Sequence, residues 1–417
     1  MAGPLTAART IKKDSIISAN SSQAKETPPF DRDQLRKQAR WIRDTLDPQV
    51  AQDGPDALHS DDILTLDELL RGLIGSGLGA EDIRYSRIHL AVNAISGKAT
   101  RWPSKLIDRC ESLRTSWEQS YGHLGELGTP LYEPGGRLHG ICKPEDVSKE
   151  KLLVKWMRTA GVKISPIVAR KPGALGFTPG SWWINPFFAY RDGIIDNGNS
   201  DGGVVSDGDG AYAVVLTGGD EVSGPDPNSF QYRCRDKDPG RYRLTAGTPE
   251  SRHPIRVLRS HTLRSFWKPR AGLRYDGLCV RARSDKAQQK HILLVASNHA
   301  ESSRRHRVTG WTIKHDNRTN QMVYIVNFRR LVSESSMELV LKRPWSDEIE
   351  DYTEYKRIRD LQRERSRATS KPTLTRATDG INEWKSTPIP ASYGPETSQG
   401  TIAMLDGEAA GDSSQES

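Results

Sequence analysis

The residue type best placed to do chemistry in this sequence is arginine, which is concentrated between Ser229 and Arg274. This window holds twelve basic and three acidic residues, a local excess of nine positive charges against +8 for the whole chain. The basic residues are Arg233, Arg235, Lys237, Arg241, Arg243, Arg252, Arg256, Arg259, Arg264, Lys268, Arg270 and Arg274. Planar guanidinium groups suit phosphate oxygens, and Tyr232, Tyr242, Phe266 and Trp267 stand among them. The pattern favours a polyanion surface, and a solvated basic face is the alternative.

Residue sets that could hold a metal ion or act as nucleophiles are weak by comparison. The four cysteines, Cys110, Cys142, Cys234 and Cys279, include no Cys-x-x-Cys pair, which argues against a zinc finger, a RING or a disulfide framework. Asn298-His299 with His306 superficially resembles a His-Asn-His nuclease. No aspartate is placed to bind its metal, and a basic loop between strands is the alternative. We therefore expect no catalytic residue, no metal site and no cofactor.

Composition predicts ordered domains between loose ends. Of 417 residues, 35% are hydrophobic, and the mean hydropathy is -0.66. Segment 1–30 is polar and ends in a Pro-Pro pair, and segment 371–417 is rich in Ser, Thr, Gly and Glu, so both are predicted to be disordered. No run approaches the roughly 18 apolar residues of a membrane span, and the N-terminus lacks a signal-peptide core. The expectation is an intracellular protein with no membrane partner.

Residues 31–125 are predicted to form a bundle of four amphipathic helices. The Asp31–Gln34 pair caps the first helix, which Pro48 should stop, and the Thr65–Glu68 pair caps the second. The third covers Ile83 to Ile95, and the fourth begins at Pro103. Part of this region, Leu90 to Trp117, resembles the N-terminal helical bundle of transcription-elongation factors. That resemblance implies a nuclear protein partner, and a helical bundle of another role is the alternative.

The remainder of the chain is predicted to be a linker, a β-rich domain and a charged helix. The linker, 126–165, contains one helix capped by Ser148, and the β domain spans 166–345. Segment 346–370 places its acidic residues first and its basic residues last, as expected of a solvated helix. The predicted strands are Tyr212–Leu216, Ile255–Leu258, Leu278–Val280, Ile292–Ala296, Trp311–Ile313, Val323–Phe328 and Leu339–Leu341.

Several ordered blocks within the β-rich half resemble the SRA domain family, also called the YDG domain family. The likeness covers 177–341, and its blocks are Gly210-Ala211-Tyr212, Gly218-Gly219, Asn228 to Tyr232, Pro254-Ile255-Arg256-Val257 and Tyr275-Asp276-Gly277. Members of this family read cytosine methylation by rotating the modified base out of duplex DNA into a protein pocket. The resemblance implies a curved, PUA-like β-barrel. With the helical bundle predicted before it, the expected fold class is α+β.

The same resemblance assigns roles to named residues. Tyr232 would stack on the extruded base, and Asp220 or Glu221 would accept a hydrogen bond from its amine. Backbone at Gly218 and Gly219 would approach the base. Thr217 would border the methyl group, and Val204 and Val205 would form an apolar wedge in the gap left by the base. The basic residues expected to contact DNA are Arg233, Arg235, Arg241, Arg243, Lys268 and Arg270.

Structural roles are the alternative for each of these residues. Tyr232 could be a wall aromatic, Gly218-Gly219 a hairpin turn and Asp220-Glu221 a solvated loop. Tyr275-Asp276-Gly277 is itself predicted to be structural, with a buried tyrosine, a turn-forming aspartate and a glycine at positive φ.

The sequence also departs from the family pattern. Asp220 stands where a second pocket tyrosine is usual, and Arg233 stands where threonine is usual. The stretch between Tyr232 and Pro254 is too short for the finger that checks the opposite strand. Discrimination of hemimethylated DNA therefore does not carry over from the family.

Two classes of function follow. The first is a nuclear, chromatin-associated reader of methylated or hemimethylated cytosine in double-stranded DNA, acting by base flipping. The second is a protein-interaction scaffold that binds DNA regardless of methylation, or an accessory component of a chromatin ubiquitination pathway. An enzyme is not expected, because the chain carries no RING, SET or nuclease motif. Comparing methylated, hemimethylated and unmodified CpG duplexes would separate the two classes.

Overall fold

The computed structural model describes residues 30–97, 101–146, 148–159, 161–162, 164–222, 226–234, 243–244, 253–281, 311–316 and 321–370. The α-helices within these residues are α1 (Arg32–Trp41), α2 (Asp47–Asp53), α3 (Ser60–Ile74), α4 (Ala80–Ser86), α5 (Ile88–Ser96), α6 (Ser104–Tyr121), α7 (Lys149–Met157), α8 (Pro166–Ala169), α9 (Pro186–Asp192), α10 (Met337–Leu341) and α11 (Ser346–Ser370). The predicted disordered segments, apart from Phe30, and the predicted strand Ile292–Ala296 lie outside the described residues.

Helices α1 to α6 bury one continuous apolar core. The predicted helix spacing is confirmed by the burial of Leu35, Ala39, Ile42, Leu46, Leu106, Cys110, Leu113 and Trp117. Asp31 caps α1 as predicted, because its carboxylate accepts from the Gln34 amide. The predicted four-helix bundle is not confirmed, since the described part of this region contains six α-helices.

Pro48 does not stop the first helix as predicted. The chain passes from α1 through a π-helical turn, Ile42–Leu46, directly into α2, where Pro48 lies in the first turn. A proline ring normally clashes with the carbonyl of the preceding turn, and the wider π-helical turn leaves room for it. The helix ends at Gly54, whose φ is +86°.

The capping box predicted at Thr65–Glu68 is wrong. Helix α3 already begins at Ser60, and Thr65 lies within it, donating its hydroxyl to the Asp61 carbonyl at 2.8 Å. Asp61 and Asp62 occupy the first turn, where their negative charges favour the exposed amide ends of the helix. These charges set the start of the helix without a Ser/Thr cap.

The helix predicted over Ile83 to Ile95 is interrupted at Arg87. Its φ of +59° separates α4 from α5, and a left-handed residue other than glycine costs about 1 kcal/mol. The buried Arg87 side chain donates to Asp351 at 2.5 Å and to Glu350 at 3.0 Å, both in α11. These ion pairs offset the backbone strain.

Burial of His89, on α5, predicts that the free energy of unfolding depends on pH. Its ring is buried, Nδ1 lies 3.1 Å from the Ile83 carbonyl oxygen, and burial lowers its pKa to about 4. An unfolded chain protonates its histidine near pH 6.5, so lowering the pH from 6.5 to 4 favours unfolding by about 3 kcal/mol. The variant His89→Gln should lose this part of the dependence, measured by urea unfolding at several pH values. Equal slopes for both proteins over this pH range would contradict the assignment.

The β-strands form one mixed sheet. They are β1 (Trp182–Trp183), β2 (Gly203–Ser206), β3 (Ala211–Leu216), β4 (Glu221–Val222), β5 (Ser229–Arg233), β6 (Ile255–Ser260), β7 (Leu273–Arg281), β8 (Trp311–Asp316) and β9 (Gln321–Arg330). The hydrogen-bonded order is β2-β3-β6-β7-β9-β5-β4, with β1 paired to β7 and β8 paired to β9. Strands β3 and β6 are parallel. Among the described strands this path stays open, so closure into the predicted barrel is not seen.

The segment predicted as a linker, 126–165, packs onto the sheet. Leu131, Leu138 and Trp156 are buried in the same core as residues of β1 and β3. The Trp156 ring lies 4.9 Å from the Phe187 ring, and its indole donates to a backbone carbonyl at 2.6 Å. The segment therefore contributes to the core of the β-rich half.

The predicted strand Leu339–Leu341 is wrong, because these residues belong to α10. Ser336 precedes this helix, and its hydroxyl accepts from the Glu338 amide at 3.3 Å. A serine followed by an acidic residue is a helix start, and this local capping outweighs the β preference of three apolar residues.

The N-terminal half of α11 is not solvated, which corrects the prediction for this helix. Asp347, Glu348 and Asp351 are each at most 2% exposed. Their cationic partners define the α11 ion cluster, which contains Arg36, Arg40, Arg87, Arg137 and Arg343. Ile349, Tyr352 and Tyr355 on the same helix pack against the core of the β-rich half. Helix α11 therefore joins the helical region to the sheet.

Candidate nucleic-acid interface

The centre of the expected site is a tight turn after β3, Thr217–Asp220, here called the glycine turn. Gly218 has a φ of +50°, which favours glycine, and a Cβ built on either Gly218 or Gly219 meets nothing within 4 Å. The Asp220 carboxylate accepts from the Thr217 amide at 3.0 Å and so closes the turn. A hydrogen bond within the turn therefore fixes its shape, and its two glycines face open space.

Tyr232 is not placed to stack on a base. It lies on β5 with 0% of its surface exposed, so its ring lines no cavity wide enough for water. Phe230, two residues earlier on the same face, is also buried and stacks on Phe328 with ring centroids 5.4 Å apart. Alternation along a strand sends both aromatic rings to one side, and here that side is the core. This burial favours the alternative of a structural role for Tyr232, and the stacking role stays a prediction.

The two carboxylates expected to read the amine are also buried. Glu221 is 5% exposed, and Arg259 Nε donates to its Oε2 at 2.6 Å. Asp220 is 5% exposed and holds the glycine turn, as does Thr217, whose hydroxyl donates to the Asp201 carbonyl at 2.9 Å. Their oxygens bond within the protein, which favours structural roles for all three residues. The amine-acceptor and methyl-contact roles stay predictions.

The expected apolar wedge lies within a strand rather than at a loop tip. Val204 and Val205 belong to β2, which pairs with β3. Val205 is 2% exposed, and Val204 is half-buried. The cavity beside them has a volume of about 10 Å³, enough for at most one water molecule. Insertion of Val205 into a base stack would require β2 to leave the sheet.

The aspartate of Tyr275-Asp276-Gly277 is the centre of a buried charge network. In the pairing of β6 with β7, Val257 faces Gly277 and Leu258 faces Tyr275, so Asp276 is the extra residue of a β-bulge. The predicted positive φ of the glycine is confirmed at +111°, and Tyr275 is buried as predicted. The aspartate was expected in a turn and lies instead in the bulge.

Two arginines neutralise Asp276. Arg259 Nη1 lies 2.6 Å from Oδ2, and Arg274 Nε lies 2.5 Å from Oδ1. Burial alone would raise the pKa of Asp276, but the two guanidinium groups lower it below its usual value. Because Arg259 also binds Glu221, the network ties the glycine-turn end of β4 to the bulge in β7.

The arginine window is only partly a surface. Arg256, Arg259 and Arg274 are at most 1% exposed, which corrects the expectation of a wholly basic face. Arg256 donates to three backbone carbonyls, those of Ala169, Lys171 and Gly173, and burial lowers its pKa to about 10. The exposed basic residues are Arg233, Arg264, Lys268 and Arg270, and Arg243 is half-buried. Arg235, Lys237, Arg241 and Arg252 lie outside the described residues.

Two of the exposed cationic residues, Arg233 and Arg264, adjoin the glycine turn. Backbone bonds join the turn to both neighbours: the Arg233 amide donates to the Asp220 carbonyl at 2.7 Å, and the Arg264 amide donates to the Gly218 carbonyl at 2.6 Å. The second neighbour is the 261–272 loop between β6 and β7, here called the basic loop, which carries Arg264, Lys268 and Arg270. Arg264 and Phe266 were not chosen as site residues from sequence, since no local pattern marks which arginines of the window are exposed.

Comparisons with known proteins find structural likenesses only. No family model matches the sequence, and no curated protein matches it. A crystal structure of SUVH5 SRA with methylated CHH DNA is 15% identical, covers 40% of this chain and 98% of that chain, and has a TM-score of 0.28. The modification-dependent TagI restriction endonuclease is 15% identical over 41% of this chain and 54% of that one, with a TM-score of 0.25. Arabidopsis thaliana SUVH6 in complex with SAM is 16% identical over 49% of this chain and 35% of that one, with a TM-score of 0.30.

Two further properties of the described residues concern membranes and metal ions. None of the helices there is sufficiently long and apolar to cross a membrane. Within the same residues, no group of three His, Cys, Asp or Glu side chains could hold a metal ion. Cys110, Cys142, Cys234 and Cys279 are buried, and none of the four forms a disulfide.

Proposed function

We propose that this protein binds double-stranded DNA through the surface formed by the glycine turn, Arg233 and the basic loop. The proposal is carried by one observation: the exposed residues Arg233 and Arg264 are joined by backbone hydrogen bonds to a turn whose two glycines face open space. The loop of Arg264 carries two further exposed cations, Lys268 and Arg270. Without side chains, backbone amides can approach a phosphate closely, and the surrounding cations neutralise neighbouring phosphates. The proposal includes no catalytic step.

Affinity for DNA should depend steeply on salt. Neutralising four phosphates gives a slope of log affinity against log salt of roughly -3.6, or about a 100-fold loss between roughly 50 and 200 mM. The triple variant Arg264→Met/Lys268→Met/Arg270→Met should reduce the steepness of this slope by about 2.7. Fluorescence anisotropy with one labelled duplex at four salt concentrations measures both values.

A matched control separates local charge from net charge. The triple variant Lys105→Met/Lys149→Met/Lys151→Met also removes three positive charges, but from exposed positions on α6 and α7. Its salt slope should stay close to that of the unaltered protein. If both triple variants flatten the slope equally, the DNA surface is not at the basic loop.

Methylcytosine reading by base flipping is the second candidate function. The order of the SRA-like blocks and the open space in front of Gly218 and Gly219 favour it. In this function the core around Tyr232 would have to open, because its ring is inaccessible. Binding of fully methylated, hemimethylated and unmodified CpG duplexes at one salt concentration tests it. We expect affinities within about two-fold of one another, and a methylation preference of ten-fold or more would establish the reader function instead.

A nuclear, chromatin-associated location is part of the proposal, since chromosomal DNA is the proposed partner. The helical region, with its own core, would serve a protein partner, in keeping with the scaffold function. A role as an accessory component of chromatin ubiquitination is a narrower form of the same idea. Imaging of the tagged full-length chain in living cells tests the location, and exclusion from the nucleus would contradict it.

A further inference from the structure

Phe266 is an aromatic side chain that the fold holds out in solvent. It is 86% exposed, and its ring contacts the half-buried Trp267 edge-on at 4.9 Å between centroids. Single exposed apolar residues are common on protein surfaces and need no function. What distinguishes Phe266 is the rigidity of the loop that carries it and the charge around it.

The basic loop is fastened on both sides of Phe266. Before it, the Arg264 amide donates to the Gly218 carbonyl at 2.6 Å, and the Ser265 hydroxyl donates to Glu221 at 2.9 Å. After it, the Trp267 carbonyl accepts from Arg274 at 2.7 Å. These partners belong to the glycine turn and the buried charge network, so the exposed ring is held in position before any ligand arrives.

The basic loop, which carries Phe266, contains positive charges and no negative ones. Arg264, Lys268 and Arg270 are exposed at positions two before, two after and four after the ring, and the 261–272 loop contains no acidic residue. An aromatic ring among cations is the combination that binds unpaired nucleotides, since a base stacks on the ring while cations neutralise the backbone. The loop also adjoins the glycine turn, so a strand bound there would continue onto the proposed DNA surface.

We propose that Phe266 is a stacking site for an unpaired nucleobase, with Arg264, Lys268 and Arg270 holding the flanking phosphates. This inference rests on the proposed DNA-binding function and extends it to single-stranded nucleic acid and to duplexes with an unpaired base. A fully paired duplex offers no exposed base face to the ring away from its ends, so it would use the cations alone.

The test compares a 12-nucleotide single strand with a long, blunt-ended, fully paired duplex, using the full chain at one low salt concentration. The variant Phe266→Leu keeps an apolar side chain and removes the stacking face, and Phe266→Trp keeps the face. Val332→Ala, at a fully exposed position after β9, is the matched control. We expect Phe266→Leu to weaken single-strand binding about ten-fold and binding of the fully paired duplex less than two-fold. Phe266→Trp and Val332→Ala should bind as the unaltered protein does.

The outcomes separate this inference from the function on which it rests. If the unaltered protein binds neither nucleic acid at this low salt concentration, the proposed function fails. If it binds both and Phe266→Leu changes neither, only the stacking site is overturned. Loops with an aromatic and several basic residues also bind anionic membranes, so binding to phosphatidylserine vesicles is measured as well. If Phe266→Leu weakens vesicle binding and leaves single-strand binding unchanged, the nucleobase-stacking proposal is also overturned.

Discussion

Replacing Arg259 by methionine is expected to lower the free energy of unfolding by about 3–5 kcal/mol. Arg259 is 1% exposed and is the only residue seen, among those described, to bridge Glu221 and Asp276. In its absence Asp276 keeps Arg274, but Glu221 keeps only the Ser265 hydroxyl among the described residues. A buried carboxylate without a cation is costly, and this cost sets the size of the effect.

Urea denaturation followed by tryptophan fluorescence measures this loss. The matched control is Arg264→Met, the same substitution at an exposed position of the neighbouring loop, which should change stability by less than about 0.5 kcal/mol. Changing Glu221→Gln together with Arg259→Met should recover part of the loss, because the orphaned charge is then absent. Equal stabilities of Arg259→Met and Arg264→Met would show that the network contributes nothing to the fold.

Replacing Arg87 by methionine is expected to have a comparable effect, about 3–5 kcal/mol, at the α11 ion cluster. Arg87 Nη2 lies 2.5 Å from Asp351, and Nη1 donates to the Asp347 backbone carbonyl and to Glu350. The change also leaves a residue other than glycine in the left-handed conformation without the ion pairs that offset its strain. The helical region and the β-rich half, which α11 joins, should then unfold in two transitions.

Scanning calorimetry detects this uncoupling. On the same helix, Arg357→Met removes an exposed pair with Glu354 and serves as the control, expected to cost less than about 0.5 kcal/mol. A single transition at an unchanged temperature in Arg87→Met would contradict the joining role of α11.

The same cluster predicts sensitivity to acid. Burial opposes ionisation of Asp347, but the guanidinium groups of Arg40 and Arg36 lower its pKa far below the usual range. A carboxylate with a lowered folded-state pKa stabilises the protein above about pH 4, and this contribution is lost as the pH falls further.

Local patterns of the chain were sufficient to locate many elements. The apolar spacing of α1 and α6, the Asp31 and Ser148 caps and the strands β3 and β6 were all predicted, since each depends on a few neighbouring residues. The buried tyrosine and the positive-φ glycine of Tyr275-Asp276-Gly277 were predicted for the same reason. Burial of Tyr232 could have been inferred from its alternation with Phe230 along β5.

Which charges are buried was decided by tertiary structure. Arg259 and Arg274 belong to the arginine window, whose composition is typical of a phosphate-binding surface. Both nevertheless face Asp276, which an irregular β-bulge turns inward. In the sequence, Asp347 and Asp351 are typical of the solvated start of a charged helix. In the structure they pair with Arg40 and Arg87, which lie about 260 to 310 residues away along the chain. Charge composition and helix periodicity are local properties of a sequence. The pairing of one charge with another depends on which elements pack together, and therefore only the folded chain shows which arginines remain exposed.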